Sequence, residues 1–477
     1  MTRWTFPIAL DPEAREPRFQ QIVRAIMADI RRGRLRPGDR LPGSRTLADS
    51  LGLHRNTVLA AYRELAAEGW IEAGARSTRV AADLPTPPAR AAAAKGGLGF
   101  DLGPGLPDPD FRPPREGLLD LAGGLPDPRL VPVDLLARAL RRALRTKPSP
   151  LPYGDSAGEP RLRRALASLL AEVRGLAIPP EQLLVTGGSQ MGLDLLARTL
   201  LRPGDRVAVE DPGYPPARRT FAAAGATLVP LPVDAEGLSL EALEAALAEG
   251  PLRALYLTPH HQFPTTVTLT APRRLRLLDL ARRHRLAVIE DDYDFEFHFE
   301  GRPVLPLASG DPGGVVVYLG TLSKVLAPAL RLGFVVAPRP LVEALAARRL
   351  LVDQHGNRAM ERAVAELIED GLLQRHARKV RRIYAERREV LVDLLGRRLG
   401  GALAFEPAPG GLSLWARTAP GIDAAAWAER TRARGVLVTA GKRFDLRGRN
   451  VPHLRVGFSA LDPKELQDAV QRLGEAL

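Results

Sequence analysis

The segment "VVVYLGTLSKVLAPALRLGF", residues 315–334, runs from apolar β-branched residues into a turn of small and hydroxyl-bearing residues. The first part predicts a buried strand, and Lys324 follows shortly after the carboxyl end of that strand. Most lysine side chains lie in solvent, so a lone ammonium group beside a buried strand calls for a chemical explanation. Thr321 and Ser323 precede this lysine and Arg331 follows it, which supplies hydroxyl and guanidinium groups near the amine.

Four further strand-like runs precede this one, and helical stretches such as 190–202 and 271–285 separate them. The runs are "QLLVTGG", "DRVAVEDPG", "RALYLTP" and "LAVIEDD". This alternation predicts a mainly parallel sheet with helices on both faces. Because ligands of open α/β sheets bind beyond the carboxyl ends of the strands, the polar residues after each run mark a candidate site. Those residues are Gly188, Ser189, Gln190, Tyr214, His261, Gln262, Asp291, Tyr293, Thr321, Ser323 and Lys324.

The chemistry of these groups points to one cofactor. A lysine amine can form a Schiff base with an aldehyde. Asp291 can keep a pyridine nitrogen protonated, Tyr293 can hydrogen-bond a phenolic oxygen, and Tyr214 offers a flat face for stacking. The hydroxyl groups around the lysine, Arg331 and the helix start at Ser189 suit a phosphate. Together they fit pyridoxal 5′-phosphate (PLP).

Two other kinds of site compete for the same residues. A nucleotide site would need a GxGxxG or GxxxxGK[ST] run after a strand, and the sequence has neither. A metal site would use His260 and His261 with Asp291 or Asp292, but adjacent histidines on a strand face opposite sides. The sequence therefore predicts no metal ion.

The first 80 residues carry a local excess of positive charge. They hold fourteen arginines against nine acidic residues, which is +5 of the chain's net charge of +13. Helical spacing of apolar residues predicts a helix over 18–32. "SRTLADSLGL" predicts a second helix with Ser44 as N-cap and Gly52 at its end, and "HRNTVLAAYRELAAEGW" predicts a third. "WIEAGARSTRVAA" predicts a small hairpin.

Two short helices joined by a tight turn and followed by a basic hairpin are typical of a winged helix, which places its recognition helix in the major groove of DNA. The first turn of that helix offers side chains suited to base edges and phosphates. The predicted DNA-binding residues are Ser44, Arg45, His54, Arg55, Asn56, Thr57, Arg76 and Arg79. The alternative is an ordinary helical subdomain whose arginines are merely solvated.

Composition also suggests where the domains divide. The stretch 81–117 is rich in Pro, Gly and Ala and has few large apolar residues, which is typical of a linker. The predicted divisions are a winged helix-turn-helix over 12–82, a linker over 83–117 and a PLP-binding domain over 118–477, the last comprising a large domain at about 150–345 and a small α+β domain at about 346–477.

Several classes of protein are disfavoured by composition. The chain has no cysteine, which excludes disulfides, thiolate zinc sites and cysteine nucleophiles. The sequence contains no uninterrupted apolar run of about 18 residues, so it predicts no membrane span. The first residues lack the apolar core of a signal peptide. We therefore expect a cytoplasmic protein.

Both halves of the sequence resemble known families. "RLRPGDRLPGSRTLADSLGLHRNTVLAAYRELAAEGWIEA" resembles the winged helix-turn-helix of GntR-type regulators, and "RNTV" followed by "AYREL" resembles the MocR branch. Residues 118–477 resemble a fold type I PLP-dependent aminotransferase of the MocR/PdxR type, through "YGDSAGEPRLRRAL", "VEDPGYP", "TPHHQFPT", "VIEDDYDFEF" and "GTLSKVLAPALRLGF". The resemblance implies an all-α winged-helix domain followed by an α/β aminotransferase-like domain.

The resemblance also implies roles for single residues. Lys324 would be the catalytic lysine that forms the Schiff base with the cofactor. Asp291 would pair with the pyridine nitrogen, and Tyr293 would lie near the phenolic oxygen. His261 or Gln262 would take the place of the asparagine that contacts the ring in this family.

Phosphate and effector contacts follow from the same resemblance. Thr321, Ser323 and Arg331 would grip the cofactor phosphate, and Arg455 aligns with the arginine that clamps a substrate carboxylate. One departure is Thr266, where "HQFPTG" is common in the family and this chain has "HQFPTT".

The function that the resemblance implies is a homodimeric PLP-binding transcription regulator, whose aminotransferase-like domain senses PLP or an amino acid and whose winged helix binds double-stranded operator DNA. The alternative is a catalytically active PLP-dependent aminotransferase with an accessory N-terminal domain. Weak transamination by a regulator stays open at this point.

Overall fold

The structure is a computed structural model, in which the chain forms two compact units, Met1–Gly105 and Leu106–Leu477. The described residues are 8–74, 77–85, 117–301, 303–311, 313–407 and 409–477. Arg76 and most of the predicted linker over 83–117 lie outside these ranges. The two units are therefore described separately, and the predicted domain boundaries stay a prediction.

The described residues of the N-terminal unit form three helices and a small sheet. Its helices are α1 (Arg18–Arg31), α2 (Ser44–Leu51) and α3 (Arg55–Ala67), and its strands are β1 (Arg40–Leu41), β2 (Ile71–Ala73) and β3 (Thr78–Val80). The apolar stripe of α1 packs on α3, and its buried residues include Ile22 and Ile26. This burial of one face is what the helical spacing in the sequence predicts.

The ends of α2 differ in how well the sequence predicts them. The expectation that Ser44 is the N-cap is wrong, because Gly43 occupies that position and Ser44 is the first helical residue. The predicted stop at Gly52 is confirmed. Its φ of 64° lies in the left-handed region, which glycine adopts without steric cost.

The predicted hairpin is present as the antiparallel pair β2–β3. A third strand, β1, pairs with β3 to give the order β1–β3–β2. Sequence analysis missed β1, because two residues are too short to show an alternating pattern. The N-terminal unit is thus a winged helix: three helices and a three-stranded antiparallel sheet.

The C-terminal unit contains the remaining elements. Its helices are α4 (Val133–Arg145), α5 (Pro160–Arg174), α6 (Ser189–Leu200), α7 (Pro215–Ala223), α8 (Leu240–Glu249), α9 (Ala271–His284), α10 (Arg339–Leu350), α11 (Arg358–Glu369), α12 (Leu372–Leu399), α13 (Ala424–Ala433) and α14 (Pro463–Glu475). Its strands are β4 (Leu119–Asp120), β5 (Leu183–Thr186), β6 (Arg206–Asp211), β7 (Thr227–Asp234), β8 (Gly237–Leu238), β9 (Ala254–Leu257), β10 (Ala287–Asp292), β11 (Val316–Thr321), β12 (Gly333–Val336), β13 (Leu403–Ala404), β14 (Ser413–Thr418), β15 (Val436–Leu437), β16 (Thr439–Ala440) and β17 (His453–Gly457).

Eight of these strands form one sheet in the order β5–β12–β11–β10–β9–β6–β7–β8. The predicted mainly parallel arrangement is confirmed. The exceptions are β12, which runs antiparallel to both neighbours, and β8, which runs antiparallel to β7. The strands β5, β6, β9, β10 and β11 therefore all end at the same edge of the sheet.

Helices cover both faces of this sheet because the strand side chains alternate. Ala254 and Tyr256 of β9 pack with α6, α7 and α10, whereas Leu255 and Leu257 of the same strand pack with α8 and α9. Both faces are apolar, which explains why these strands read as continuous hydrophobic runs in the sequence.

A smaller α+β region follows, as predicted. Strands β13, β14, β17 and β16 form an antiparallel sheet, and β15 pairs in parallel with β4. Helices α12, α13 and α14 contribute buried residues to the same core, including Trp427 and Leu466. Within the described ranges, no helix is both long and apolar enough to cross a membrane.

Candidate functional site

A cavity of about 780 Å³ opens in the C-terminal unit, and residues at the carboxyl ends of the parallel strands line it. Ten of the predicted site residues lie in its wall, although they are spread over more than 260 positions of sequence. They are Ser189, Gln190, Tyr214, Asp291, Tyr293, Thr321, Ser323, Lys324, Arg331 and Arg455. The convergence predicted from the strand ends is therefore a property of the fold.

Lys324 lies three residues beyond the last residue of β11 and faces this cavity. The pKa of its ammonium group is lowered from 10.5 to about 8, mainly by burial and also by the charge of Arg455, against the opposing charges of Asp294 and Asp291. A lower pKa leaves a larger share of the amine unprotonated at neutral pH. Only that unprotonated form is a nucleophile.

Asp291 lies at the end of β10 and is nearly completely buried. Tyr256 donates a hydrogen bond of 2.7 Å to its Oδ2, and its Oδ1 has no partner among the described residues. The pKa of this carboxyl is raised to about 7, mainly by burial and also by the charges of Asp292 and Asp294, while the Tyr256 hydrogen bond and the charge of Lys324 oppose the rise. The site thus holds a buried carboxyl oxygen to which no described residue donates.

The start of α6 and the turn after β11 form one end of the cavity. Ser189 begins the helix, and Gly188 before it has φ 94°. An added Cβ on Gly188 would lie 3.1 Å from the guanidinium of Arg331, so these groups approach closely. Thr321 Oγ1 accepts a hydrogen bond of 3.1 Å from the backbone N–H of Ser323. Free helical N–H groups, hydroxyls and a guanidinium are the donors that a phosphate needs.

Aromatic rings form another part of the wall. The rings of Tyr214 and Phe263 pack edge to face with their centres 5.0 Å apart. The rings of Phe263 and Tyr293 also pack edge to face, with their centres 6.0 Å apart. Tyr293 donates a hydrogen bond of 3.0 Å to the carbonyl oxygen of His261. Burial raises the pKa of Tyr214 to about 12 and that of Tyr293 well above its ordinary value. Both phenols are therefore neutral and can act as hydrogen-bond donors.

Arg455 projects from β17 and is only 2% exposed. Its Nη1 donates to the carbonyl oxygen of Ala122 at 3.2 Å, and its guanidinium lies 4.4 Å from the centre of the Phe263 ring. An added Cβ on Gly123 would overlap the guanidinium, and one on Gly124 would lie 3.1 Å from it. Burial lowers the pKa of Arg455. A fixed, desolvated guanidinium in a cavity is a strong receptor for a carboxylate.

Seven of the eight predicted DNA-binding residues fall within the described ranges of the N-terminal unit, and none of the seven is fully buried. His54 is the N-cap of α3, and its Nδ1 accepts a bond of 3.3 Å from the N–H of Asn56. Arg55, which is exposed, donates through Nε to Ser44 Oγ at 3.3 Å, which joins the starts of α2 and α3. Arg45 is exposed at the start of α2. These side chains form one polar surface at the first turns of the two helices.

The remaining predicted DNA contacts lie farther along the unit. Thr57 is half-buried in the first turn of α3. Arg79 lies on β3, where it is exposed and donates to the carbonyl oxygen of Gly38 at 3.0 Å. Arg76 lies outside the described residues.

Comparison with known proteins identifies both units. Residues 18–80 match the family of bacterial regulatory proteins called gntR, and residues 119–473 match aminotransferase class I and II. The chain is 34% identical over 478 residues to a probable rhizopine catabolism regulatory protein, MocR, of Rhizobium meliloti, covering 98% of this chain and 95% of that protein. This chain belongs to the MocR/PdxR-type family of transcription regulators.

Other relatives agree with this placement. The pyridoxine biosynthesis transcriptional regulator PdxR of Corynebacterium glutamicum is 35% identical over 391 residues, covering 82% of this chain and 81% of that protein. The crystal structure of LysN, an α-aminoadipate aminotransferase from Thermus thermophilus in complex with N-(5′-phosphopyridoxyl)-L-leucine, superposes with a TM-score of 0.70 at 33% identity. The superposition covers 76% of this chain and 92% of the LysN chain. The chain is therefore a DNA-binding regulator with an aminotransferase-like domain, rather than an aminotransferase with an accessory segment.

Two residues predicted to contact the ring in this MocR-type chain do not line the cavity. His261 is buried, with Nδ1 2.8 Å from Asp294 Oδ1. The side chain of Gln262 bonds within its own turn and donates to the carbonyl oxygen of Pro212 at 2.9 Å. The expectation that His260 and His261 face apart on a strand is wrong. Both lie in a bend after β9, and their ring centres are 4.3 Å apart.

The MocR-type cavity also contains residues that sequence analysis missed. Tyr256 holds Asp291, and Arg219 and Arg443 line the wall. Tyr256 gave a usable signal, because a tyrosine inside a buried strand needs a partner for its hydroxyl group. Arg219 follows Tyr214 by little more than one helical turn, which is a weaker signal. Arg443 lies in the short 3-10 helix Gly441–Phe444 of the small region, and the sequence gave no signal for it.

Proposed function

We propose that this MocR-type regulator binds PLP in the cavity of its C-terminal unit and that occupancy of the cavity changes its affinity for operator DNA. One observation carries the proposal. The amine of Lys324, the start of α6 and the Oδ1 of Asp291, which has no donor among the described residues, all belong to a single cavity. PLP carries an aldehyde that matches the amine, a ring nitrogen that matches the carboxyl oxygen and a phosphate that matches the start of α6.

The ring end of the cavity fits the cofactor. When bound, PLP supplies an aldehyde that reacts with amines, an electron-withdrawing pyridine ring and a phosphate. Asp291 Oδ1, which has no partner among the described residues, can accept a hydrogen bond from a protonated ring nitrogen, while the Tyr256 hydrogen bond holds Oδ2 in place. Tyr214 can stack on the ring. Tyr293 would donate to its phenolic oxygen by exchanging the hydrogen bond that its hydroxyl now makes to the His261 carbonyl. Lys324 is the covalent anchor, and its lowered pKa favours the reactive neutral amine.

The phosphate end fits equally well. Gly188 lets the guanidinium of Arg331 approach the start of α6, because a larger residue would crowd it. Ser189 and Gln190 begin that helix, whose partial positive charge favours an anion. Thr321 and Ser323, in the turn after β11, add hydroxyl groups to the same cavity. We assign the phosphate to these groups.

We further propose that the effector is an amino acid whose carboxylate binds Arg455. The support is the buried position of this guanidinium in the cavity and its Nε, which has no partner in the part of the chain that the structure describes. The amino group of such a ligand would compete with Lys324 for PLP. Sensing of PLP alone is the other outcome, and slow transamination is compatible with either.

Homodimerisation is part of the proposal. Several large apolar side chains are exposed on the C-terminal unit, including Leu151 at 73%, Tyr153 at 82% and Leu351 at 85%. The rings of Tyr153 and His355 are 5.7 Å apart, so the segments that bear these residues lie next to each other. Exposed apolar patches are typical of interfaces, and a two-fold dimer would suit two DNA half-sites. Light scattering of the PLP-loaded protein at micromolar concentration should give a dimer; a monomer would refute this part.

The regulatory proposal is tested by a gel shift on the DNA upstream of the protein's own gene, with and without PLP and with common amino acids. We expect a ligand-dependent change in affinity, because a ligand shifts an equilibrium only through its different affinities for the two states. A fragment that begins near residue 96 should bind PLP and no DNA. Equal DNA affinity under all conditions, or specific DNA binding by the fragment, would contradict the proposal.

A further inference from the structure

Three histidines form a cluster that does not line the cofactor cavity. His260 and His261 lie in the bend after β9, and His298 lies in the segment that follows β10. Each offers one ring nitrogen, and the three nitrogens lie within 4.8 Å of one another. The backbone of His298 forms a bridge with that of Gly410, which belongs to the chain entering the small sheet. The cluster therefore joins three segments that are distant in sequence.

The ring of His261 has a fixed orientation. Its Nδ1 lies 2.8 Å from Asp294 Oδ1, and both side chains are almost completely buried. A carboxylate accepts hydrogen bonds, so Nδ1 carries the hydrogen and Nε2 of a neutral ring presents a lone pair. That Nε2 has no hydrogen-bond partner among the described residues. A histidine held by a carboxylate on one nitrogen and open on the other is the usual arrangement at zinc sites.

The ring of His260 has a more unusual environment. It is 5% exposed and stacks on the ring of Phe295, with the two ring centres 5.2 Å apart. Neither of its nitrogens has a hydrogen-bond partner in the described ranges. A buried imidazole with two unsatisfied nitrogens costs stability, so a bound group that accepts a lone pair would relieve it.

The surroundings leave room for a small cation. A point at the centre of a triangle with 4.8 Å sides is about 2.8 Å from each corner, so side-chain shifts below about 1 Å give the Zn–N distance of roughly 2.0–2.1 Å. An added Cβ on Gly410 would overlap His261 Nε2, so only glycine keeps that nitrogen clear. The nearby guanidinium of Arg174 is paired with Asp292 and Glu296, which offsets its charge.

We propose that His260, His261 and His298 bind a divalent zinc ion, with Asp294 orienting His261. Neutral imidazoles are preferred zinc ligands, and three of them leave a fourth position for water. The ion would tie the bend after β9 to the segment paired with Gly410. The carbonyl oxygen of His261 accepts the Tyr293 hydrogen bond, so the ion would also brace one wall of the cofactor cavity. The site is separate from the PLP proposal, and its zinc ligands include no cavity-lining side chain.

The experiment measures metal uptake by the full chain without PLP. Protein stripped with a chelator is dialysed against Zn²⁺ and analysed by elemental mass spectrometry, and Co²⁺ is used as a spectroscopic probe. We expect one Zn²⁺ per chain, visible Co²⁺ absorption bands of a low-coordinate nitrogen site, and a higher thermal midpoint with metal. Uptake well below one equivalent, or Co²⁺ without such bands, would overturn the proposal.

Matched variants locate the ion. His260→Ala and His298→Ala should each lose the Co²⁺ bands and weaken Zn²⁺ binding by more than about tenfold, and Asp294→Asn should weaken it by about 10–100-fold. His284→Ala is the control, because this histidine is exposed at the end of α9. Lys324→Met should bind Zn²⁺ normally, which separates this result from the PLP proposal. Tight binding retained by the folded His260→Ala and His298→Ala proteins would place the ion elsewhere and refute the assignment.

Discussion

The winged helix and the cofactor cavity use arginine in opposite ways. Arg45, Arg55 and Arg79 stand exposed on the N-terminal unit, whereas Arg455 is buried and held between Phe263 and a glycine turn. Exposed cations act on a polyanion through several screened interactions, so their effect falls steeply with salt. A buried guanidinium acts in a low dielectric with fixed geometry, so its effect depends on the shape of the ligand.

The difference teaches how one chain can respond to two kinds of anion. DNA binding should be sensitive to ionic strength and spread over many residues. Ligand binding should be nearly insensitive to salt and concentrated in a few buried groups. The predictions below test this contrast, beginning with the largest expected effect.

Lys324→Met should abolish the covalent attachment of PLP. The wild-type protein should show a visible absorbance band that borohydride removes, and the variant should show none, because methionine has no amine. Lys379→Met, on the exposed face of α12, is the control and should keep the band. A band retained by Lys324→Met would mean that another lysine is the anchor. The claim that ligand binding is concentrated in a few buried groups of the cavity would then fail.

Asp291→Asn should change how stability depends on pH in the PLP-free protein. Burial raises the pKa of Asp291 to about 7 from 3.8, so its contribution to stability is complete below the unfolded pKa and is lost as pH rises through 7. The wild type should therefore lose about 2–3 kcal/mol relative to the variant between pH 5 and pH 8. Chemical unfolding of both proteins at each pH measures the difference.

The control for this pH dependence is Asp393→Asn, at an exposed position of α12. Its stability difference from wild type should be the same at both pH values. If the stability difference between Asp291→Asn and wild type is also the same at both pH values, the pKa of Asp291 is not raised by burial. Its proposed role at the ring nitrogen then loses its support.

Arg455→Ala should remove the response to amino acids. A charge-assisted hydrogen bond contributes about 1.5–3 kcal/mol, so the apparent affinity should fall about tenfold to a hundredfold. The measurement is a titration of amino acids into the PLP-loaded protein while the cofactor absorbance is followed. Arg417→Ala, exposed on the neighbouring strand β14, is the control. If no amino acid alters the wild-type spectrum, or if Arg455→Ala responds as the wild type does, PLP itself becomes the favoured effector.

Arg55→Ala and Arg79→Ala should separate two kinds of DNA contact. Loss of a base contact by Arg55 should cost about 1–3 kcal/mol and relax the sequence preference. Loss of a phosphate contact by Arg79 should weaken binding to all sequences and reduce the slope of log affinity against log salt by about 1. Arg32→Ala, exposed at the end of α1, should change little. A salt-independent loss in Arg79→Ala would break the contrast between the two regions.

Much of the fold was predictable because its signals are local. The apolar runs that became β5, β6, β9, β10 and β11 are short, flanked by turns and buried on both faces. Strands β1 and β12 are among those that escaped prediction, because one has two residues and the other follows the lysine turn after only the short 3-10 helix Pro328–Leu330. The N-cap of α2 was wrong by one residue, since glycine and serine both suit that position.

The candidate site was predictable to the extent that it follows from strand ends. Asp291 and Lys324 each come just after or at the end of a buried strand, and parallel strands bring such positions to one edge. His261 and Gln262 also follow a strand, but the bend after β9 turns their side chains away from the cavity. Local sequence does not specify the orientation of His261, because it depends on Asp294, a partner that is distant in sequence.

The sequence by itself determined the two-unit organisation, the mainly parallel sheet and the chemical set that points to PLP, because hydrophobic periodicity and strand-end position are written in neighbouring residues. Only the tertiary structure decided which side chains meet. It placed Arg455 in the same cavity as Lys324, gave Asp291 its partner Tyr256 and brought His298 to the histidine pair after β9. The physical reason is that long-range packing fixes these distances, and the packed neighbours then set burial, hydrogen bonding and pKa.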